Sequence, residues 1–518
     1  MGEEASNHHN PLGWVGRTFG FNLNNFRLGK DFSIRRFSIT EAALLLMMAY
    51  IASRGLGVLR QSIFNALFGT GPEANAYYAA ARLPDTLFNL IAGGALSHAF
   101  IPIFVSYEKN GQREAWRLTS LVFNVLLVIL TAFVLVSEFL APAFVSHYLV
   151  PGYSPSEQAL TSTLTRIMLI QPLILGLGTI ATAILNSKRQ FLLPALSIAV
   201  YNFGLIGGLL FSLAIPGIGI YGPTFGILAA AGCQVAVMVP GLLKQGVRYT
   251  FIWNLKHPGL YEVMRLLGPN ALAVGVVSVG FIVDTYFASY LPDQASLSAL
   301  HNAQMLYALP LALVAQAISQ AALPQLSTLA AAGHYIRLRK TTLKIIGGAV
   351  LLSVPSALLL YLLGRPTIHI LFQHGAFTRH STNLTYMALI GYAIGLPGQT
   401  AGELLARSFY ALKDARTPLF TNLFALAMRY GLIVLLLKLM TGTSVIMAIP
   451  LAATISVTAE ALLLYLLLFL RLRAKVKVDR GMQRLQHQRD HAMDIPHEHA
   501  EHLNGAQEKP KDAGEADE

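Results

Sequence analysis

Charge and cysteine are both scarce in this chain. Of its 518 residues only 12% are charged while 54% are hydrophobic, and the mean hydropathy is +0.53. Soluble domains carry about 25% charged residues, so the composition excludes a soluble globular protein and indicates a polytopic membrane protein. The one cysteine, Cys233, sits inside an apolar run, which excludes a disulfide framework and a CxxC metal site. No HExxH, GxSxG or Walker A pattern occurs, so metalloprotease, serine hydrolase and nucleotide-binding readings have no motif to stand on. Energy for transport is then expected from an ion gradient or the membrane potential. No cleavable signal peptide is visible, because the first apolar run begins near Thr40 after a polar leader without a small-residue cleavage site.

What is present is a series of long apolar runs. A membrane-spanning helix needs about 20 mostly apolar residues, and twelve such segments are expected near residues 41–68, 76–105, 118–148, 159–185, 191–215, 224–243, 262–291, 296–330, 341–372, 381–411, 418–439 and 445–471. Several exceed the hydrocarbon thickness, which implies tilt, kinks or ends in water. Pro84, Pro172, Pro310, Pro355 and Pro397 lie inside them as candidate bends.

The net charge of +12 does not indicate nucleic acid, because the basic residues fall in short clusters between apolar runs. They occupy alternate loops: Lys109, Arg113 and Arg117; Lys188 and Arg189; Lys244, Arg248 and Lys256; Arg337, Arg339, Lys340 and Lys344; Lys413 and Arg416. The leader and the segment from Arg471 to Lys477 are basic too, whereas the intervening loops hold almost no basic residue apart from Arg365 and Arg379. Cytoplasmic loops are enriched in Lys and Arg. Twelve spans with both termini cytoplasmic satisfy hydropathy and charge together.

The expected organisation is a basic cytoplasmic leader (1–39), an N-lobe of spans one to six (40–250), a C-lobe of spans seven to twelve (251–475) and a charged, histidine-rich tail (476–518). Trp14, Phe19, Phe21, Phe26 and Leu28 either rest in the headgroup region or belong to an unstructured leader. The composition of the tail favours a disordered, solvated segment over a metal site at His497, His499 and His502.

Two internal repeats support the two-lobe organisation. "ALSHAFIP" (Ala95 to Pro102) and "AISQAALP" (Ala317 to Pro324) share Ala, Ser, Ala and Pro at an offset of 222 residues. "ILNSKRQFLLPA" and "YALKDARTPLF" each join a basic loop to a proline, with Pro194 and Pro418 separated by 224 residues. Each copy holds six spans, an even number, so both halves cross in the same sense. Two like-oriented halves enclosing a cavity suggest alternating access.

The intramembrane charges point to a ligand. The small residues Gly93, Gly94, Ala95 and Ser97 are accounted for by close helix packing, but the arginines are not. An arginine at the bilayer centre costs about 2.5–3.5 kcal/mol on translocon scales and faces a cavity or a partner, unless it snorkels to an interface. Arg54 and Arg60, six residues apart, lie roughly 120° apart around one helix, on one broad face. Arg82 has Asp85 three residues on as a local partner. Guanidinium forks suit phosphate and carboxylate oxygens, so an anionic headgroup is the natural ligand of Arg54, Arg60 and Arg82. Asp284, flanked by apolar residues, must be protonated, paired or holding a cation. Glu403 and Arg407 have the spacing of a structural ion pair, and Arg429 is a candidate partner of Glu460. His98, His301 and His369 read as satisfied polar groups.

The stretch "SRGLGVLRQSIFNALFGTGPEANAYYAAARLPDTLFNLIAGGALSHAFIPIF", with "ALPQLS", "LFQHGAFT" and "SFYALKDARTP", resembles the MurJ (MviN) lipid II flippases of the MOP exporter superfamily. The resemblance runs from about residue 40 to 472. It implies an all-α, MATE-like two-lobe fold in the bacterial cytoplasmic membrane, a transporter rather than an enzyme, and outward movement of an undecaprenyl-diphosphate-linked peptidoglycan precursor. Arg54, Arg60 and Arg82 match the substrate-binding arginines of the family. Asp284 matches a sodium-holding acid, with Asn422 and Thr454 or Thr458 as companions, so Na+ or H+ is the implied coupling ion and no other cofactor is expected. Cell-wall synthesis proteins are the implied protein partners.

Several positions depart from the family pattern. Asn75, Phe88, Gly93, Gln304 and Met305 stand where charged residues are common, and the two extra C-terminal helices that form a lipid-tail groove in fourteen-span members are not found. A flippase for another polyprenyl-linked saccharide therefore competes with lipid II. A MATE-like exporter of small cations would need cavity carboxylates to outnumber arginines, and the first two spans show the reverse. A glycosyl polymerase would need paired acids in the outer loops, which hold Glu73, Glu157 and Asp293 without such a pair. A scaffold that has lost transport is the last alternative.

Overall fold

A computed structural model describes residues 39–91, 95–109 and 111–493, with side chains from 52 to 473 apart from 95, 97, 98, 269, 270, 272 and 273. Among the described residues every regular element is a helix, and each expected span has a helical counterpart. Span one is α1 (Ile39–Phe68). Span two is divided into α2 (Pro72–Ala80), α3 (Arg82–Ile91) and α4 (Ala95–Lys109). Span three is α5 (Gln112–Phe144), and span four is α6 (Pro155–Met168) followed by α7 (Gln171–Ser187). Spans five to seven are α8 (Leu192–Ala214), α9 (Tyr221–Lys244) and α10 (Pro258–Ser289). Span eight joins α11 (Ser296–Leu311) through a wide turn, Ala312–Gln316, to α12 (Ala317–Ala331). Span nine is α13 (Tyr335–Phe372), and span ten is α14 (Arg379–Ala393) with α15 (Leu396–Ala411). The last two are α16 (Arg416–Leu439) and α17 (Ala448–Met493).

Eight of these segments are, among the described residues, long and apolar enough to cross a membrane. The other four are spans one, two, seven and ten, which hold Arg54 and Arg60, Arg82 and Asp85, Asp284, and Glu403 with Arg407 respectively. Helix α17 runs on to Met493, so residues 476–493 of the charged segment are helical, in place of the disorder expected there. Residues with no counterpart in the core can extend a helix already nucleated by the preceding span. The leader, Gly93 and the histidines at 497, 499 and 502 lie outside the described residues.

Proline placement explains several bends. Pro172 and Pro397 each sit in the first turn of a half-helix, where a missing N–H is tolerated, so spans four and ten break just before them. Pro310 precedes the wide turn of span eight, whereas Pro355 lies within the uninterrupted α13. Helix α6 starts on a capping box: the hydroxyl of Ser154 accepts from the Glu157 N–H, and Glu157 accepts from the Ser154 N–H at 2.9 Å.

The internal repeat extends to the geometry of single turns. Helices α4 and α12 are both 15 residues long and start at Ala95 and Ala317, the first residues of the repeated motif. Among the described residues the two non-glycine residues with positive φ are Arg189 (+58°) and Lys413 (+59°), one in each basic repeat loop. Each ends its helix in the same way: Gln190 N–H donates to Leu185 O and Asp414 N–H to Phe409 O, both at 2.9 Å. This is the left-handed closure usually given to glycine.

Internal contacts divide the chain into two units. The first comprises the chain up to Tyr307 with Leu359–Ala393 and Leu426–Ala452; the second comprises Ala308–Leu358, Ile394–Ala425 and the chain from Ala453. The expected lobe boundary at 250 is not where contacts divide it. Within the first unit, close contacts link early residues to residues from the second half of the sequence. Gly69 (φ +58°) and Gly375 (φ +55°) are one such link: a Cβ on Gly69 would fall 2.4 Å from Ala376 O, and one on Gly375 would fall 2.2 Å from Ala66 O. Ala376 N–H donates to Ala66 O at 2.8 Å across the same contact. The first unit also packs α8 on α9 with backbones nearly touching, since a Cβ on Gly208 would meet Gly226 Cα at 2.5 Å. In the second unit α15 packs as tightly on α17, where a Cβ on Gly395 would meet Thr454 Oγ1 at 2.4 Å.

Candidate functional site

The arginines expected to bind an anion all belong to the first unit. Arg54 is exposed on α1, and Arg60 is half-buried about 9 Å farther along the same helix. Neither forms an ion pair with a described residue. Arg60 lies within electrostatic reach of Asp85, Tyr77, Tyr78, Tyr201 and His301. Arg82, at the start of α3, lies near Asp85, Asp284, Tyr392 and His301. The fold thus brings Arg60 and Arg82 around a common set of neighbours, with Arg54 farther out on α1.

Arg82 does not form the expected local ion pair with Asp85. Its Nε donates to Thr285 Oγ1 at 3.2 Å, and its guanidinium lies 5.4 Å from the centre of the Phe281 ring, both on α10. A stacked guanidinium keeps its charge while losing mobility. Asp85 is left exposed beside the two arginines.

Asp284, 4% exposed on α10, is paired: Arg429 Nη2 on α16 donates to its Oδ2. The second carboxylate oxygen and the Arg429 Nε are buried without a hydrogen-bond partner among the described residues. The expected partner of Arg429 was Glu460, but Glu460 instead accepts from Thr421 Oγ1 at 3.1 Å within the second unit. A buried carboxylate takes the cation that its own packing presents, whatever the sequence separation. The remaining candidates for a cation site, Asn422, Thr454 and Thr458, belong to the second unit. Asn422 donates to Pro418 O at 3.0 Å and Thr458 to Thr454 O at 2.7 Å, both within their own helices.

The positions that depart from the family pattern are used internally. Asn75 on α2 accepts from the Ser298 N–H at 2.8 Å and from its hydroxyl, and its amide donates to Gln294 O, so it caps the start of α11 from another helix. Gln304 donates to Tyr392 Oη at 2.9 Å. Phe88 packs against the apolar cluster around Phe100 and Leu121, and Met305 is half-buried.

A buried polar network went unanticipated. Gln61 Nε2 donates to Asn302 Oδ1 at 2.9 Å and to Asn65 Oδ1 at 3.1 Å, and Asn65 Nδ2 donates to Asn302 Oδ1 at 2.9 Å. Tyr78, which also accepts from Gln61, stacks on His301 with ring centres 3.9 Å apart. The available signal was the pair of amides four residues apart in the apolar run "RQSIFNALF", which places both on one helix face.

The charges near Arg60 and Arg82 include Asp85 and the paired Asp284 and Arg429, with Tyr77, Tyr78, Tyr201 and Tyr392 near one or other of these charged groups. Guanidinium groups in such a setting suit the oxygens of phosphate or carboxylate.

Comparison with known proteins identifies the family. The lipid II flippase MurJ family matches residues 64–485, a stretch that includes Arg82 and Asp284 and begins just after Arg60. The lipid II flippase MurJ of Burkholderia cenocepacia is 30% identical over 386 residues, covering 73% of this chain and 74% of that protein. A relative from Rhizobium tropici bearing the same MurJ name is 28% identical over 406 residues, or 77% of this chain and 76% of its own. Among solved structures, a lipid II flippase MurJ in an inward closed conformation superposes with a TM-score of 0.70 at 27% identity, covering 81% of this chain and 86% of that one. An inward-facing MATE multidrug transporter of the MOP superfamily superposes with a TM-score of 0.69 at 14% identity, covering 84% and 98%. At that identity the likeness concerns the fold, which is the two-lobe fold of the MOP superfamily. With 64–485 matched by one family and relatives aligned over three quarters of its length, the chain belongs to the lipid II flippase MurJ family.

Proposed function

We propose that this protein moves lipid II, an undecaprenyl-diphosphate-linked peptidoglycan precursor, across the bacterial cytoplasmic membrane by alternating access. Family membership supports the reading, and the observation that carries it is the gathering of Arg60 and Arg82 around Asp85, His301 and the tyrosines. A diphosphate would bridge the two guanidinium groups and displace Asp85, an exposed carboxylate held near both. Arg54, exposed on the same helix as Arg60, would receive the headgroup on its way in. Both termini are assigned to the cytoplasm on the loop charges.

A coupling cation, Na+ or H+, would act at Asp284 by taking the place of the Arg429 guanidinium. Releasing Arg429 would add a positive charge to the site and favour the anion, so cation and substrate binding would be linked. Asn422, Thr454 and Thr458 remain candidate oxygen donors of the second unit. Cell-wall synthesis proteins remain the partners that this role implies.

A second reading is favoured by one observation. Asn75 and Gln304 replace charged residues of the family and are both committed to internal hydrogen bonds. A less demanding headgroup, another polyprenyl-diphosphate-linked saccharide, fits a site with fewer charges. The test is expression in a bacterium depleted of its own lipid II flippase, scoring survival and externally accessible lipid II. Rescue is expected; failure with confirmed membrane expression would transfer the assignment to the other saccharide.

A further inference from the structure

A groove lined only by apolar side chains and glycine lies among α3, α4, α5 and α10 of the first unit, with a volume of about 180 Å³. That is smaller than the range of about 300–1,000 Å³ typical of pockets for whole ligands, and suits a segment of a hydrocarbon chain. Its walls include Leu90 on α3, Val125 and Ile129 on α5, and Val263, Leu267 and Gly268 on α10. A Cβ added at Gly268 would meet nothing within 4 Å, so the wall at that residue faces open space.

The helices α3 and α10 that line this groove also carry the arginine site. They run antiparallel: Arg82 contacts Thr285, while farther along a Cβ on Gly275 would meet Leu90 Cδ1 at 3.0 Å. Leu90 lies eight residues beyond Arg82, about 12 Å along the helix. One helix pair therefore offers a guanidinium at one end and an uncharged groove at the other. A ligand that matches both is an anion joined directly to a long hydrocarbon.

We propose that this groove holds the polyisoprenyl tail of the lipid whose diphosphate sits at Arg82. The inference rests on the lipid-linked reading of the site and adds to it a place for the chain. An ordinary bilayer acyl chain would fill apolar space anywhere on the lipid-facing surface, whereas this groove is lined by the same two helices that hold Arg82. Burial of methylene groups would supply affinity there without any polar contact.

Full-length protein in nanodiscs is labelled with a polyprenyl diphosphate carrying a diazirine on a distal isoprene unit, and the labelled peptides are mapped. Label on residues 122–129 and 260–271 is expected, removed by unlabelled polyprenyl diphosphate and not by excess phosphatidylglycerol. Label elsewhere, or equal competition by phosphatidylglycerol, overturns the proposal. Gly268→Phe, which fills the groove, is expected to weaken the long-chain ligand about tenfold, the equivalent of losing burial of about two methylene groups. Geranyl diphosphate, whose short chain ends before the groove, should bind the variant as it binds the parent, and Gly268→Ala should bind both ligands normally. Equal loss for both ligands, or no loss for either, counts against a tail groove. Arg82→Gln should weaken both. If it weakens neither while the groove is still labelled, the headgroup reading fails and the tail site stands.

Discussion

The two units treat buried charge and polarity in opposite ways. In the second, polar partners lie close by on the same or a neighbouring element: Arg407 pairs with Glu403 one turn away at 2.9 Å, Thr421 serves Glu460, and Arg471 reaches Asp414. In the first, exposed pairs such as Arg117 with Glu114 are local too, but several buried groups find their partners far away in the sequence. Arg429 serves Asp284, Asn302 serves Gln61 and Asn65, and Asn75 caps the helix that begins at Ser296. Local pairs tie a helix to itself and survive any rearrangement of its surroundings. Pairs distant in sequence hold only in one packing, so polar groups that depend on them make an arrangement conditional. The unit that carries the arginines is the one in which several buried polar groups are conditional.

The strongest way to test the contrast is to remove the two gathered arginines, which have no ion-pair partner among the described residues. Arg60→Ala with Arg82→Ala should abolish lipid-linked headgroup movement, measured by external accessibility of the labelled lipid, while membrane insertion is kept; activity equal to the parent would end the cationic-site mechanism.

A smaller effect is expected at the buried ion pair. Arg429→Met strands Asp284 without its cation and should cost about 3–5 kcal/mol of stability. Adding Asp284→Asn should recover much of that loss, and thermal unfolding in detergent would reveal whether the two changes are coupled.

Next comes the amide network. Asn302→Leu removes the acceptor shared by Gln61 and Asn65 and should cost about 1–3 kcal/mol by leaving buried donors unmet. In the second unit Arg407→Gln breaks a pair that is about one-third exposed on each side and should cost about 0–1 kcal/mol. If the two variants proved equally mild, the distinction between conditional and local polar pairs would lose its energetic basis.

The smallest effect concerns Asp414, on the loop before α16. Burial pushes its carboxyl up, but the hydroxyl and backbone N–H of Thr417, together with Arg471, outweigh that and hold it below the ordinary carboxylate range. A lowered folded-state value means the stabilisation is complete above the unfolded carboxylate value of about 3.9 and fades as pH falls through the folded one. Asp414→Asn should therefore lower stability near neutrality and flatten the acid limb below about pH 4 in a pH series of unfolding midpoints.

Much of the fold was legible in advance. Apolar runs located a helix for each expected span, eight of them long and apolar enough to cross a membrane among the described residues, and the motif starting at Ala95 and Ala317 marked where two equal helices begin. Spacing within one turn also gave the Glu403 and Arg407 pair, because residues four apart on a helix are neighbours regardless of the rest of the molecule. The positive φ of Arg189 and Lys413 was not legible, since neither residue type advertises a left-handed conformation.

At the candidate site the balance was different. The residue types, arginines and an aspartate in apolar surroundings, announced themselves because their cost in a membrane is high. Their partners did not. Asp85 was the nearest ion-pairing choice for Arg82 by spacing, yet Thr285 and Phe281 hold that arginine. Arg429 was matched with Glu460 by proximity of spans, yet it turns to Asp284.

By itself, then, the sequence determined an all-helical membrane protein and the identity of the charges embedded in its helices, because hydropathy, charge asymmetry and helical spacing act over one turn or one bilayer thickness. Only the tertiary structure decided which arginines keep a free guanidinium, which carboxylate is neutralised and where an apolar groove stays open. Those outcomes depend on side chains up to two hundred residues apart meeting across helices, and no local rule of spacing reaches that far.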